Sequence, residues 1–270
     1  MASRVMTAKV PRAGFCIYQF PGCTQHPLTT EHVISKTVDP SEVFRIADAA
    51  CGACNNGGAS RLDSHFQNDL LVTIQKACRG VPVRTRRGKQ TGQVVHRAGN
   101  RGKAEAESWQ SVRDDGVRFQ RWQYSEEKVV PVEDFACPID LTTLFAADVA
   151  EQQEIVRGVA KMAYAGSWYL TLRARPAGWD ERPQELHRYV LGNSESDWPA
   201  ASAQSLYESF DIESLHLGGR EVISIDVGNL KFCVPVSFPE DGRVQSLVED
   251  LSQFLAERSA RPPPSKGQQK

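Results

Sequence analysis

Residues 16–65 read CIYQFPGCTQHPLTTEHVISKTVDPSEVFRIADAACGACNNGGASRLDSH, and the reading of this stretch decides the fold. Four cysteines fall in two pairs, Cys16/Cys23 and Cys51/Cys54. Glu31-His32 lies between the pairs, and Asn55-Asn56 follows the last cysteine. Thiolates spaced in this way hold a tetrahedral zinc ion, which ties a strand pair to the start of a helix. Such a staple brings Glu31, His32 and Asn55 toward one point. An acid, an imidazole and an amide then converge, as a hydrolytic metal site requires. The six-residue gap between Cys16 and Cys23 is wider than the common two-residue gap, so His26 stands as a reserve ligand if Cys16 is not used.

The order of paired cysteines, acidic residue-His, then Cys-x-x-Cys-Asn resembles the zinc-stapled branch of the HNH endonucleases, the ββα-metal or His-Me finger fold. The resemblance covers about 50 to 60 residues at the N-terminal side. It implies DNA as substrate, His32 as general base, and a catalytic magnesium or manganese ion on Glu31 and Asn55, with Asn56 as the rival amide. It also implies a distorted hairpin, because neighbours in an ideal strand point to opposite faces and Glu31 and His32 could not share an ion. The asparagine that the family often carries about five residues before the second cysteine pair is replaced here by Ile46. Farther along, RGVAKMAYAGSWYL is similar to the helix that follows the nuclease module in some longer HNH proteins.

Composition fits a soluble globular protein: 40% hydrophobic and 24% charged residues over 270 positions, enough for one or two cores. No apolar run approaches a membrane span. The opening residues, MASRVMTAKVPRAGF, lack the apolar core of a secretion signal, and seven cysteines without such a signal suit a reducing, cytoplasmic setting with thiolate ligands. Cys78, Cys137 and Cys233 read as small core residues. The net charge of −1 gives no general argument for nucleic acid, so local charge must carry it. Residues 76–103 do so, with nine Lys or Arg and no acid. Arg84, Arg86, Arg87, Lys89, Arg97, Arg101 and Lys103 are the candidate phosphate contacts, on a ribbon whose other reading is a charge-protected strand edge.

The expected architecture is α+β: an HNH-like zinc module over 1–80, a basic β-ribbon region over 81–136, an α+β region over 137–258 and a disordered tail over 259–270. Phe15 to Phe20 reads as a strand, and Val43, Phe44 and Ile46 as anchors of the connector. Ser60-x-x-Asp63 looks like a capping box before a helix from about 61 to 78. Asp63 and His65 are further candidates for the metal shell, Asp63 at even odds with its capping role. Strands over 107–113 and 117–124 meet at Asp114-Asp115-Gly116. A helix spans 147–164, with Arg157 and Lys161 on its solvated side. A hairpin over 220–238 turns at Gly228-Asn229, and an amphipathic helix starts at Val244. Three functions follow from these features: an endonuclease of DNA; a zinc-stabilised module that binds DNA or RNA without cutting; or a structural zinc protein that meets a second copy or a partner protein through its C-terminal half.

Overall fold

In this computed structural model the described residues are 10–39, 41–68, 72, 83–85, 88–90, 95–98, 105–113, 116–123, 128–131, 149–174, 183–193, 198–238 and 244–259. They form a mixed fold of helices and strands with a small ββα region at the N-terminal side. The chain divides into two compact units, Met1–Ser64 with Glu154–Lys270, and His65–Gln153.

In the first unit, β1 (Leu28–His32) pairs antiparallel with β2 (Arg45–Cys51). The register breaks between Thr29 and Glu31, where β2 carries extra residues. Those residues bond elsewhere: the N–H groups of Ala13, Gly14 and Ile17 donate to the carbonyls of Ala47, Asp48 and Ala49. The run from Phe15 to Phe20 is therefore an irregular segment laid along β2 rather than the expected strand. Its Ile17 and Tyr18 are fully buried, and the Tyr18 ring meets those of Phe20 and Tyr164. Of the expected connector anchors, Phe44 and Ile46 are buried, whereas Val43 is exposed.

After β2 come one helical turn, Gly52–Cys54, and a wide π-type turn, Asn55–Ala59, which lead into α1 (Ser60–Asn68). Gly57 leaves helical geometry (φ −102°, ψ −105°), which kinks the run. Ser60 has helical angles (φ −62°, ψ −34°), so it continues the helix and does not cap it. Gly58 has a different reason to be glycine. A Cβ there would lie 2.6 Å from the Phe20 ring.

The rest of the first unit comprises α2 (Val149–Ala174) from Glu154 onward, α3 (Gln184–Leu191), β9 (Ala201–Leu217), β10 (Arg220–Pro235) and α4 (Val244–Ser259). β10 is one long strand paired with β9 across Gly218-Gly219, and the register places Arg220 opposite Leu217. The hairpin expected at Gly228-Asn229 is thus a bulge within that ladder. A two-residue turn of the tight hairpin type needs positive φ at both positions, which Gly218 (56°) and Gly219 (77°) supply. Alternate residues of β10 serve opposite faces. Val222 and Cys233 pack on Leu247, Leu251 and Leu255 of α4. Ile223 and Ile212 instead face Gly166 of α2, as does Val33 just beyond β1. Helices on both faces explain why β10 is buried almost without interruption from Val222 to Pro235, Ser224, Asp226 and Lys231 included.

In the second unit, β3 (Val83–Thr85) pairs with β4 (Gly88–Gln90), and β5 (Val95–Ala98), β6 (Glu105–Arg113), β7 (Gly116–Gln123) and β8 (Lys128–Pro131) form an antiparallel meander in chain order. No described helix is long and apolar enough to cross a membrane. Cys78, Cys137 and the 260–270 tail lie outside the described residues.

Gly58→Ala should cost about 1–3 kcal/mol, because the Phe20 ring has to leave its place. The check is the urea midpoint of the variant against the parent chain.

Candidate functional site

The four cysteines converge from three local structures. Cys16 lies in the segment fastened to β2 by the Ile17 N–H to Ala49 carbonyl bond of 2.8 Å. Cys23 follows the Pro21-Gly22 turn, closed by its own N–H on the Phe20 carbonyl at 2.9 Å. Cys51 ends β2, and Cys54 sits one helical turn later. The four sulfurs lie within 4.8 Å of one another, and Cys23 is the least buried of them. They can hold a metal ion, and among the described residues they are the group of His, Cys, Asp and Glu side chains that can. His26 is exposed and outside the cluster.

Electrostatics show what such a cluster needs. Burial opposes the Cys51 thiolate, but hydrogen bonds from Cys54 and Thr24 outweigh it and lower Cys51 to about 5. Burial and the neighbouring Cys51, Cys23 and Cys16 sulfurs push Cys54 up. Burial raises Cys23 as well. Sulfurs this close cannot all ionise unless a cation offsets their repulsion.

A second cluster lies beside the first and contains no sulfur. Glu31 points from β1 into the interior, where its Oε1 accepts the Tyr18 hydroxyl at 2.6 Å and Lys161 Nζ at 2.7 Å. The same ammonium lies 2.9 and 3.1 Å from the two carboxylate oxygens of Asp63. It also sits 5.6 Å from the centroid of the Tyr18 ring. Lys161 is fully buried, on a stretch of α2 in which residues 158–166 are buried without interruption. Burial opposes its charge, but Asp63 and Glu31 more than compensate, so its pKa is raised and the group stays an ammonium. For Glu31, burial raises the carboxyl and Lys161 works to lower it.

His32 faces away from this cluster, as alternation along a strand requires. It pairs with Arg45 of β2 and is half-buried, with its Nδ1 buried and unbonded. Burial lowers its pKa, Glu42 pulls the other way, and Lys36, Lys161 and Arg45 lower it further. Asn55 follows Cys54, and its Nδ2 donates to Thr29 Oγ1 at 2.9 Å, while Thr29 in turn donates to the Ala50 carbonyl at 2.8 Å. The start of the helix is thereby tied to the hairpin that bears His32. Asn56 is exposed, and His65 is half-buried farther along α1. Ile46, at the place of the family's bracing asparagine, is buried opposite Glu31.

The basic run is placed only in part. Arg84 and Lys89 are paired positions of β3 and β4, and Arg97 lies on β5 opposite Ser108. Arg86, Arg87, Arg101 and Lys103, and the side chains of the other three, lie outside the described residues. No known family model, curated protein or solved structure matches this chain.

Neither of the two residues expected on a solvated helix face is exposed. Lys161 is not on a solvated face but in the middle of the core. Arg157 is half-buried, bonded to Glu154 at 2.7 Å and to the Val190 carbonyl at 3.0 Å. The signal for Lys161 was present in the sequence. GVAKMAYAGSWYL is apolar or small all round, and a helix of that kind has no solvated side. Asp63, weighed between cap and ligand, is instead the second anion on Lys161. Replacing Lys161 with Met leaves the buried Glu31 and the partly buried Asp63 without their cation. It should destabilise the chain by about 3–5 kcal/mol in urea unfolding.

Proposed function

We propose that this chain is an HNH-type endonuclease, hydrolysing phosphodiester bonds of DNA with His32 as general base and a structural zinc ion on Cys16, Cys23, Cys51 and Cys54. The observation that carries the reading is the four-sulfur cluster, which joins the His32 hairpin to the helix start bearing Asn55. Four thiolates fill the tetrahedral shell of zinc and leave no open position, so the zinc does no chemistry. It holds the strand end, the helix start and the loop before β1 in one piece.

His32 suits its role because burial favours its neutral form, and a neutral imidazole takes a proton from water. The hard ion that the resemblance implies, magnesium or manganese, finds a fit in Asn55. The amide nitrogen of Asn55 is committed to Thr29, which leaves its oxygen for a ligand. Glu31 does not fit as a ligand where it stands, since its carboxylate is on Lys161. DNA is the favoured partner on the strength of the basic 76–103 run, with RNA as the other candidate. A second copy or a partner protein on the C-terminal half remains part of the same reading.

One observation favours a second reading, a zinc-stabilised module that binds nucleic acid without cutting. The two carboxylates considered for the hard ion, Glu31 and Asp63, are both engaged by one lysine.

Nicking of supercoiled plasmid in magnesium or manganese separates the two. His32→Ala should lower the nicking rate by about 10²–10⁴-fold and leave plasmid binding in place. Binding without nicking by the parent chain selects the second reading. The base must be unprotonated, so nicking should fail as the pH drops through the His32 pKa, on the acid side of an ordinary histidine. Metal analysis should find one zinc per chain. Stripping it with a strong chelator should unfold the N-terminal segment, and retention should weaken in acid because protons compete for the thiolates.

A further inference from the structure

The Lys161 ammonium occupies a point that has the makings of a divalent-ion site. Glu31 Oε1, Asp63 Oδ1 and Asp63 Oδ2 lie 2.7, 2.9 and 3.1 Å from it. Carboxylate oxygens gathered from two separate elements are what magnesium and calcium sites are built from. Here the positive charge comes from the chain itself. Lys161 is fully buried in α2 among buried neighbours. A divalent ion on Glu31 would meet that ammonium at close range in a poorly screened interior. It would also take from Lys161 one of its two anions.

We propose that Lys161 is the resident cation between Glu31 and Asp63, and that Glu31 is a positioning residue for His32 rather than a ligand of a hard ion. Glu31 fixes the inward face of β1, and His32, the next residue, is thereby held on the outward face. Any hard ion used by this unit is bound without Glu31. The word positioning rests on the nuclease reading. The assignment of the cation does not.

The test uses the full, zinc-loaded chain and manganese alone as probe, followed by the EPR signal of free Mn²⁺. Glu31→Gln should leave manganese affinity within about 2-fold of the parent, whereas loss of an ion ligand or its close support costs about 10-fold or more. Lys161→Met should add one manganese site per chain, because the two carboxylates regain a vacancy for a cation. Glu31→Gln combined with Lys161→Met should lose that added site. In plasmid nicking, Glu31→Gln should lower kcat with the KM for plasmid and the half-saturating magnesium concentration unchanged. A rise in that concentration, or a Lys161→Met chain that gains no ion, overturns the proposal. If Lys161→Met folds only when manganese is present, the proposal stands, and if it folds in neither condition, the proposal fails. A parent chain that neither nicks nor binds manganese removes the nuclease reading, and the added site in Lys161→Met then decides the cation assignment by itself.

Discussion

Moving an ammonium out of water costs several kcal/mol, and the interior recovers it only when anions with good geometry go in with it. Lys161 goes in with two, and they come from two different parts of the N-terminal region. Glu31 belongs to the β1–β2 hairpin and Asp63 to α1, while Lys161 itself belongs to α2, nearly a hundred residues or more away along the chain. The apolar face of α2 could slide over the hairpin with little loss, since dispersion and hydrophobic contact are not directional. A lysine with only one place to satisfy its charge cannot slide. The ion cluster therefore sets where the ββα region docks on the C-terminal elements, and the apolar contacts of Gly166 with Val33, Ile212 and Ile223 supply the burial around it.

A second buried lysine shows the contrast. Lys231 meets Asp226 at 2.6 Å, and Ser209 bonds both. These three residues belong to the β9–β10 pair, and Arg258 of α4 joins them at Asp226 Oδ2 (3.4 Å), so the cluster ties the hairpin to the last helix and docks nothing on it from the N-terminal region. The cysteine cluster is intermediate in range. It gathers residues within one stretch of the sequence, and a metal ion held there would tie them without help from α2. The Lys161 ammonium instead fixes the place of the ββα region on the rest of the unit.

Legibility in the sequence followed this difference in range. The four cysteines, the Pro21-Gly22 turn and the helix after Gly58 could be read because each is local and has its own chemical reason. The hairpin is distorted, but not as expected: the break lies between Thr29 and Glu31 and leaves Glu31 and His32 on opposite faces, so they do not share an ion. Three backbone donors from residues 13–17 take carbonyls of β2, and nothing in the spacing of those residues announces that pairing. The last hairpin was misplaced because Gly228-Asn229 and Gly218-Gly219 both look like turns. Only the second has the positive φ at both positions, and the polar β9 strand preceding it hides its alternation. Lys161 was misread for a more general reason. A charge on a helix is ordinarily solvated, and its buried partners sit far away in the sequence. The apolar flanks on every side of it outweigh that rule.

The register of β1 shows how these pieces bear on the site. A slip of one residue exchanges the faces of every side chain on a strand. In this strand it would turn Glu31 outward and bring the imidazole of His32 against an ammonium, which gains at most a hydrogen bond to a neutral ring nitrogen, not an anion, and is repelled by a charged ring. Lys161 would then keep only Asp63. The bulge between Thr29 and Glu31 makes the hairpin ladder itself a weak judge of register, because the hydrogen bonding is already interrupted there. The judgement passes to the buried charge. The outward placement of His32, on which the proposed hydrolysis depends, follows from an electrostatic demand one residue before it and on the opposite face.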